Sequence, residues 1–167
     1  MANADRPNGF QPYGPVLRLR PYIAKSTISR GDAVNRKAGS SDTAGGCEVE
    51  EADASEALIG VAAHSAASGA AVLVWDHPDQ EFMCQADESD IATNAKIGLN
   101  YNLVATDGSG GESRHELDSS TFATTATLPL RLLRIVPVAN NAVGEFAKCI
   151  VKINNHQLAG GTGVAGV

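Results

Sequence analysis

The sequence is short of the groups from which most catalytic and nucleic-acid-binding sites are built. Aromatic residues make up 5% of the 167 positions and charged residues 19%. Positive charge is in deficit: 13 Lys and Arg against 19 Asp and Glu leave a formal net charge of −6. A chain of that sign is repelled by a polyanion, so nucleic acid is not an expected partner. Cys47, Cys84 and Cys149 are odd in number and widely spaced, which excludes a CxxC metal clip and a disulfide framework; they are expected as buried, reduced thiols. No run approaches the roughly 18–20 apolar residues of a membrane span, and the start lacks the charged-then-apolar order of a secretion signal. The expectation is a soluble protein with no membrane partner.

Reactive constellations are scarce as well. His64, His77, His115 and His156 form no HxH, HxxxH or HExxH pattern, so surface or turn histidines are expected and no metal site. No GxSxG elbow surrounds a serine, and the stretch Gly108-Ser109-Gly110-Gly111 lacks the GK[ST] ending of a phosphate loop. Acidic clusters at Glu48, Glu50, Glu51, Asp53 and at Asp87, Glu88, Asp90 lack the spacing of a calcium loop and read as solvated faces. No catalytic residue and no cofactor is expected.

What the sequence does have is small residues, 26 Ala and 17 Gly. Each buries little apolar area, so the core of a chain of 17.3 kDa is expected to be thin and to gain from neighbouring subunits. Residues 1–16 hold Pro7, Pro12, Pro15, Gly9 and Gly14 and cannot stay helical. They read as an extended arm with two apolar anchors, Phe10 and Tyr13.

Beyond the arm, period-two alternation dominates. Residues 16–23 place Leu17, Leu19 and Tyr22 on one face and Arg18 and Arg20 on the other, with Pro21 marking a sheet edge. Short strands are expected at 33–35, 47–50, 58–63, 71–75, 81–85 (Phe82 and Cys84 inward), 102–106, 119–128 and 147–153, and a short helix at 89–99 capped by Ser89. In the apolar run 128–138, Arg131 and Arg134 are three apart, which fits a bulged strand or one helical turn; Pro129 and Pro137 favour the strand. Turn signals recur at roughly 8–12 residue spacing, the mark of a sandwich or barrel. The domain plan is therefore an arm at 1–16, a β-rich body at 17–155 and a loose tail at 156–167.

The start MANADRPNGF, the turn Gly31-Asp32 with Val34, the strand Ile59-Gly60-Val61-Ala62, the loop glycine Gly69, and then Val74, Pro78, Phe82 and Gln85 follow one another in an order that resembles head decoration (cement) proteins of tailed bacteriophages. The likeness spans roughly residues 1–10 and 30–87. It implies a mainly β body, a small β-barrel or β-tulip-like sandwich with an extended N-terminal arm and at most one or two short helices. It further implies a homotrimer, made in the host cytoplasm, that binds the major capsid protein on the outer surface of the virion at three-fold and quasi-three-fold positions. On this reading Arg6, Pro7, Asn8, Gly9, Phe10 and Tyr13 touch the capsid, with Phe10 as the anchor. A head fibre base or tail adaptor is the alternative virion module. A dUTPase-like trimeric enzyme is disfavoured by the missing G-x-D-x-x-Y motif and by a C-terminus, AGGTGVAGV, that lacks an aromatic residue.

Overall fold

The computed structural model describes residues 3–36, 47–87, 96–160 and 163–167. Its strands are β1 (Gln11–Tyr13), β2 (Leu19–Ala24), β3 (Ala33–Asn35), β4 (Glu48–Glu51), β5 (Gly60–Ala62) and β6 (Ala71–Trp75), then β7 (Glu81–Gln85), β8 (Asn100–Val104), β9 (Glu116–Ala123), β10 (Leu130–Ile135) and β11 (Lys148–Ile153). The protein is mainly β, as the alternation predicts. Strands β2, β4, β3, β5 and β6 close into a barrel in that order, and the others form a six-stranded sheet ordered β1-β7-β11-β10-β8-β9.

A five-stranded barrel leaves a narrow interior, which explains the small residues. Tyr22, Ala24, Ile28, Val34, Val49, Ile59, Ala62, Val72 and Val74 fill it. The strand β5 crosses so close to β6 that a Cβ on Gly60 would lie 2.3 Å from the carbonyl oxygen of Trp75, so no side chain fits there. The sheet also curls on itself: Ala86, just past β7, bridges Leu117 in β9. Its concave face carries Phe82, Cys84, Tyr101, Leu103, Leu117, Leu130, Leu132, Cys149, Val151 and Ile153 in a core shared with Phe10, Ala33, Val61 and Trp75. Barrel and sheet are thus joined by one continuous apolar layer. Cys84 and Cys149 face each other in register, both unbridged, and burial pushes the Cys149 thiol up to about 12.

The run 128–138 resolves as a strand with a register shift between Leu132 and Arg134, the bulged form of the two expected readings. The faces of β2 follow the expectation only at Tyr22, which is buried; Leu19 is exposed, and Arg20, itself exposed, reaches the same carboxylate oxygen as Tyr22. The physical reason is Asp76, a fully buried carboxylate that accepts hydrogen bonds from Arg18 Nε at 2.7 Å, from Arg20 Nε, and from the Tyr22 hydroxyl at 2.6 Å. Burial alone would raise the Asp76 carboxyl; the Tyr22 hydroxyl and the two guanidinium groups outweigh it and hold it below the usual range. Pro21 sits where β2 has β6 on one side only, since β4 joins at Ile23 and Ala24.

One further expectation needs correction. Residues 156–167 are not a loose tail where they are described. His156 is buried and bridges Leu58, Gln157–Ala159 form a 3-10 turn, and Arg131 and Asn100 both donate to the Val164 carbonyl at 2.8 Å. The helix expected at 89–99 falls largely on residues 89–95, which lie outside the described residues.

Candidate functional site

The N-terminal segment carries every residue singled out for partner binding, and it is folded onto its own body. The reason lies in side-chain amides at its two ends. Asn3 Nδ2 donates to the carbonyls of Ala142 and Glu145 at 2.8 and 2.7 Å, and its Oδ1 accepts from the Ala142 amide at 2.9 Å. The Arg6 amide donates to Gln85 Oε1 at 3.0 Å, and β1 then pairs antiparallel with β7, Pro12 opposite Phe82. A proline is tolerated there because β1 is the terminal strand of the sheet.

The six expected contact residues divide. Gly9 takes φ +59 and passes so close to Ser113 and Gly31 that a Cβ would lie 2.4 Å from Ser113 Cβ; it is buried and packing requires it. Phe10 is 1% exposed, its amide donates to the Gly31 carbonyl at 2.9 Å, and its ring meets His115 edge-on at 6.5 Å. Its assignment as capsid anchor is therefore corrected: Phe10 belongs to the layer between barrel and sheet. Tyr13 is half-buried under Arg134, whose guanidinium carbon lies 5.3 Å from the ring centre. Pro7 is half-buried, and only Arg6 and Asn8 are exposed.

Arg6, Asn8 and Gly9 form one wall of a cleft of about 530 Å³. Met83, Cys84 and Gln85 of β7 line it, with Asn140, Asn141, Phe146 and Lys148 on the far side. Phe146 holds φ 55, the one positive φ of a non-glycine residue among the described residues.

A second cluster lies beneath Phe10, and spacing along the chain gave no signal of it. Asp32, Glu51 and His115 place one ligand atom each within 4.8 Å of one another, the arrangement of a metal site. Their hydrogen bonds assign a different role. His115 Nδ1 accepts from the Ala33 amide at 3.2 Å, so in the neutral ring Nε2 carries the proton, which it donates to Glu51 Oε1 at 2.7 Å. Neither nitrogen then offers a lone pair to a cation. Asp32 Oδ2 accepts from the Ser29 amide at 2.6 Å, and Oδ1 lies 3.7 Å from His115 Nε2. Burial raises the Asp32 carboxyl, opposed by the Ser113 hydroxyl and by His115. The cluster is a polar rivet: Asp32 and Glu51 come from the barrel, His115 from the approach to β9. The expectation of surface histidines fails here and at His156, whose burial takes it down to about 4.

Glu116 connects the sheet to the N-terminal segment. Gln85 Nε2 donates both to Glu116 Oε1 and to Asp5 Oδ1 at 3.2 Å. Burial raises Glu116 to about 7, helped by the nearby Asp5 and Asp87 and opposed by Gln85 and Arg114. A carboxyl raised in the folded state stabilises the fold at low pH, and that contribution is lost as pH climbs from its ordinary 4.5 through about 7. His156 acts in the opposite sense on the acid side, since a lowered histidine costs stability as pH falls from 6.5 toward about 4. Glu116→Gln is expected to remove the decline in melting temperature between about pH 5 and about pH 8 that Glu116 causes, and to exceed wild type at the alkaline end. Parallel melting curves with the same alkaline loss in both proteins would contradict this.

No protein-family model matches the chain, and no curated protein matches it significantly.

Proposed function

We propose that this chain is a structural protein of a tailed-phage virion that binds the outer surface of the mature capsid as a homotrimer at three-fold and quasi-three-fold positions and stabilises the shell. The observation that carries the reading is where the resembling motifs fall. Gly31, Asp32 and Val34 lead into and build β3, Ile59 precedes and Gly60 to Ala62 build β5, Gly69 turns the β5–β6 loop, and Val74 lies in β6; Phe82 and Gln85 lie in β7 of the six-stranded sheet. The motif residues from Gly31 to Val74 thus fall in and between strands of the closed barrel, and Phe82 and Gln85 fall in the sheet packed beside it.

A second feature supports an assembly role. Val16, Leu17, Leu19 and Leu73 are 53%, 46%, 43% and 37% exposed. Leu19 and Leu73 lie on adjacent, hydrogen-bonded strands of the barrel wall, two register positions apart, and Val16 and Leu17 come just before β2. A cluster of exposed apolar side chains on one wall is a candidate interface.

The mechanism is linkage. A protein that binds the assembled shell and not its separated subunits stabilises the shell by mass action, and a trimer engaging several subunits at once gains further from multivalency. Undecorated expanded shells of the parental virus, mixed with the protein and pelleted, are expected to carry it down and to withstand a higher temperature before disruption. Protein that stays in the supernatant at all concentrations would overturn the reading.

A further inference from the structure

We propose that the cleft between the N-terminal segment and the 140–148 turn seats an extended, carboxylate-bearing segment of the capsid subunit. The identity of the partner rests on the preceding reading; the class of ligand rests on the cleft itself.

Its volume, about 530 Å³, is that of a site for a few residues of extended peptide. Two cations border it, Arg6 and Lys148, and among the described residues neither has an ion-pair partner, although acidic residues outnumber basic ones in this chain. The nearby Asp5 and Glu116 carboxylates accept from Gln85 Nε2 and not from Arg6 or Lys148, so the two cations stay without an ion-pair partner among the described residues and favour a carboxylate ligand. The side-chain amides of Asn8 and Asn140, on opposite walls, make no hydrogen bond within the described protein and offer the donor and acceptor pairs that a peptide backbone needs. Met83 gives the cleft an adaptable apolar side chain, and Phe146, which also lines it, is held in a left-handed backbone conformation that costs energy and persists where surroundings enforce it. The N-terminal segment then contributes to binding as a fixed wall, with Arg6 and Asn8 facing the ligand, instead of as a free arm.

The test is a titration of the full-length, isotopically labelled protein with hexaglutamate, hexaglutamine and hexalysine, followed by amide chemical shifts at low ionic strength. Saturable shifts at Gly9, Met83, Gln85 and Lys148 are expected with hexaglutamate alone. The double variant Arg6→Ala, Lys148→Ala is expected to lose about tenfold in affinity at an unchanged melting temperature, because neither side chain holds the fold. Equal response to hexaglutamine, no response at these residues, or an unaltered double variant would overturn the proposal. The two readings fail separately. Shells that bind the double variant as well as wild type refute the cleft and leave the capsid reading standing; shells that bind neither, with hexaglutamate still seated, refute the capsid reading alone.

Discussion

Phe10→Ala is expected to destabilise the protein by about 3–5 kcal/mol, the cost of emptying an aromatic site in a packed core. For a chain of this length that is a loss of about 10 °C in melting temperature. The ring is 1% exposed and sits in the layer shared by barrel and sheet, against His115, so its removal opens a cavity that two rigid β elements cannot close. Leucine at the same position is expected to recover most of the loss. The measurement separates two roles sharply. A Phe10 that anchored a partner would leave the melting temperature of the isolated protein unchanged on truncation and would lower affinity only; Phe10 as found here does the reverse, weakening the fold first and affinity only through it.

His115→Ala is expected to cost about 3 kcal/mol, because one truncation strands several polar groups at once. The Ala33 amide loses its acceptor and Glu51 loses its donor. Asp32, 1% exposed, is left with the Ser29 amide and the neighbouring Ser113 hydroxyl and no histidine. Glu51→Gln is expected to cost much less, since a glutamine oxygen still accepts from Nε2 and the side chain is 26% exposed to water. With both ring nitrogens of His115 engaged in hydrogen bonds, chelators are expected to leave the wild-type melting temperature where it is. A melting temperature that falls to the His115→Ala value on chelation would instead make the cluster a cation site, and equal costs for His115→Ala and Glu51→Gln would contradict the assigned hydrogen bonds.

Much of the fold was legible because the strands obey period two with short turn signals between them. The expected bounds 33–35, 71–75 and 81–85 are those found, and the three-residue spacing of Arg131 and Arg134 allows either a bulged strand or a helical turn, between which Pro129 and Pro137 favour the strand that forms. What misled was polarity without its partner. Arg18 and Arg20 look solvent-facing until Asp76 is brought to them from 58 and 56 positions away, and only tertiary structure does that. The N-terminal segment departs from the expected arm for a related reason: proline and glycine exclude helix but say nothing of whether an extended chain hangs free or lies along a sheet edge. Phe10 and Tyr13 carried the hint, since two aromatic residues in so polar a segment are costly to expose. The tail gave less. Its small residues are fastened by the side chains of Asn100, Arg131 and Asn154, which hold Val164 through its carbonyl and amide, and no pattern within residues 163–167 announces that.

The candidate site was legible only in part. Arg6 and Asn8 remain surface groups on the wall of a cleft, whereas Lys148, Asn140 and Phe146 enter it from a stretch whose sequence reads as ordinary loop and strand. The Asp32–Glu51–His115 rivet had no sequence signal beyond residue type, because its members lie on three separate segments.

The most direct test of the capsid reading is the number of copies bound per undecorated expanded shell at saturation, counted by quantitative gel densitometry against the capsid subunit. Decoration at three-fold and quasi-three-fold positions requires a count that is a multiple of three and scales with the number of those positions in the lattice. A handful of copies, confined to vertices or to the tail, would contradict it and point to a fibre base or adaptor.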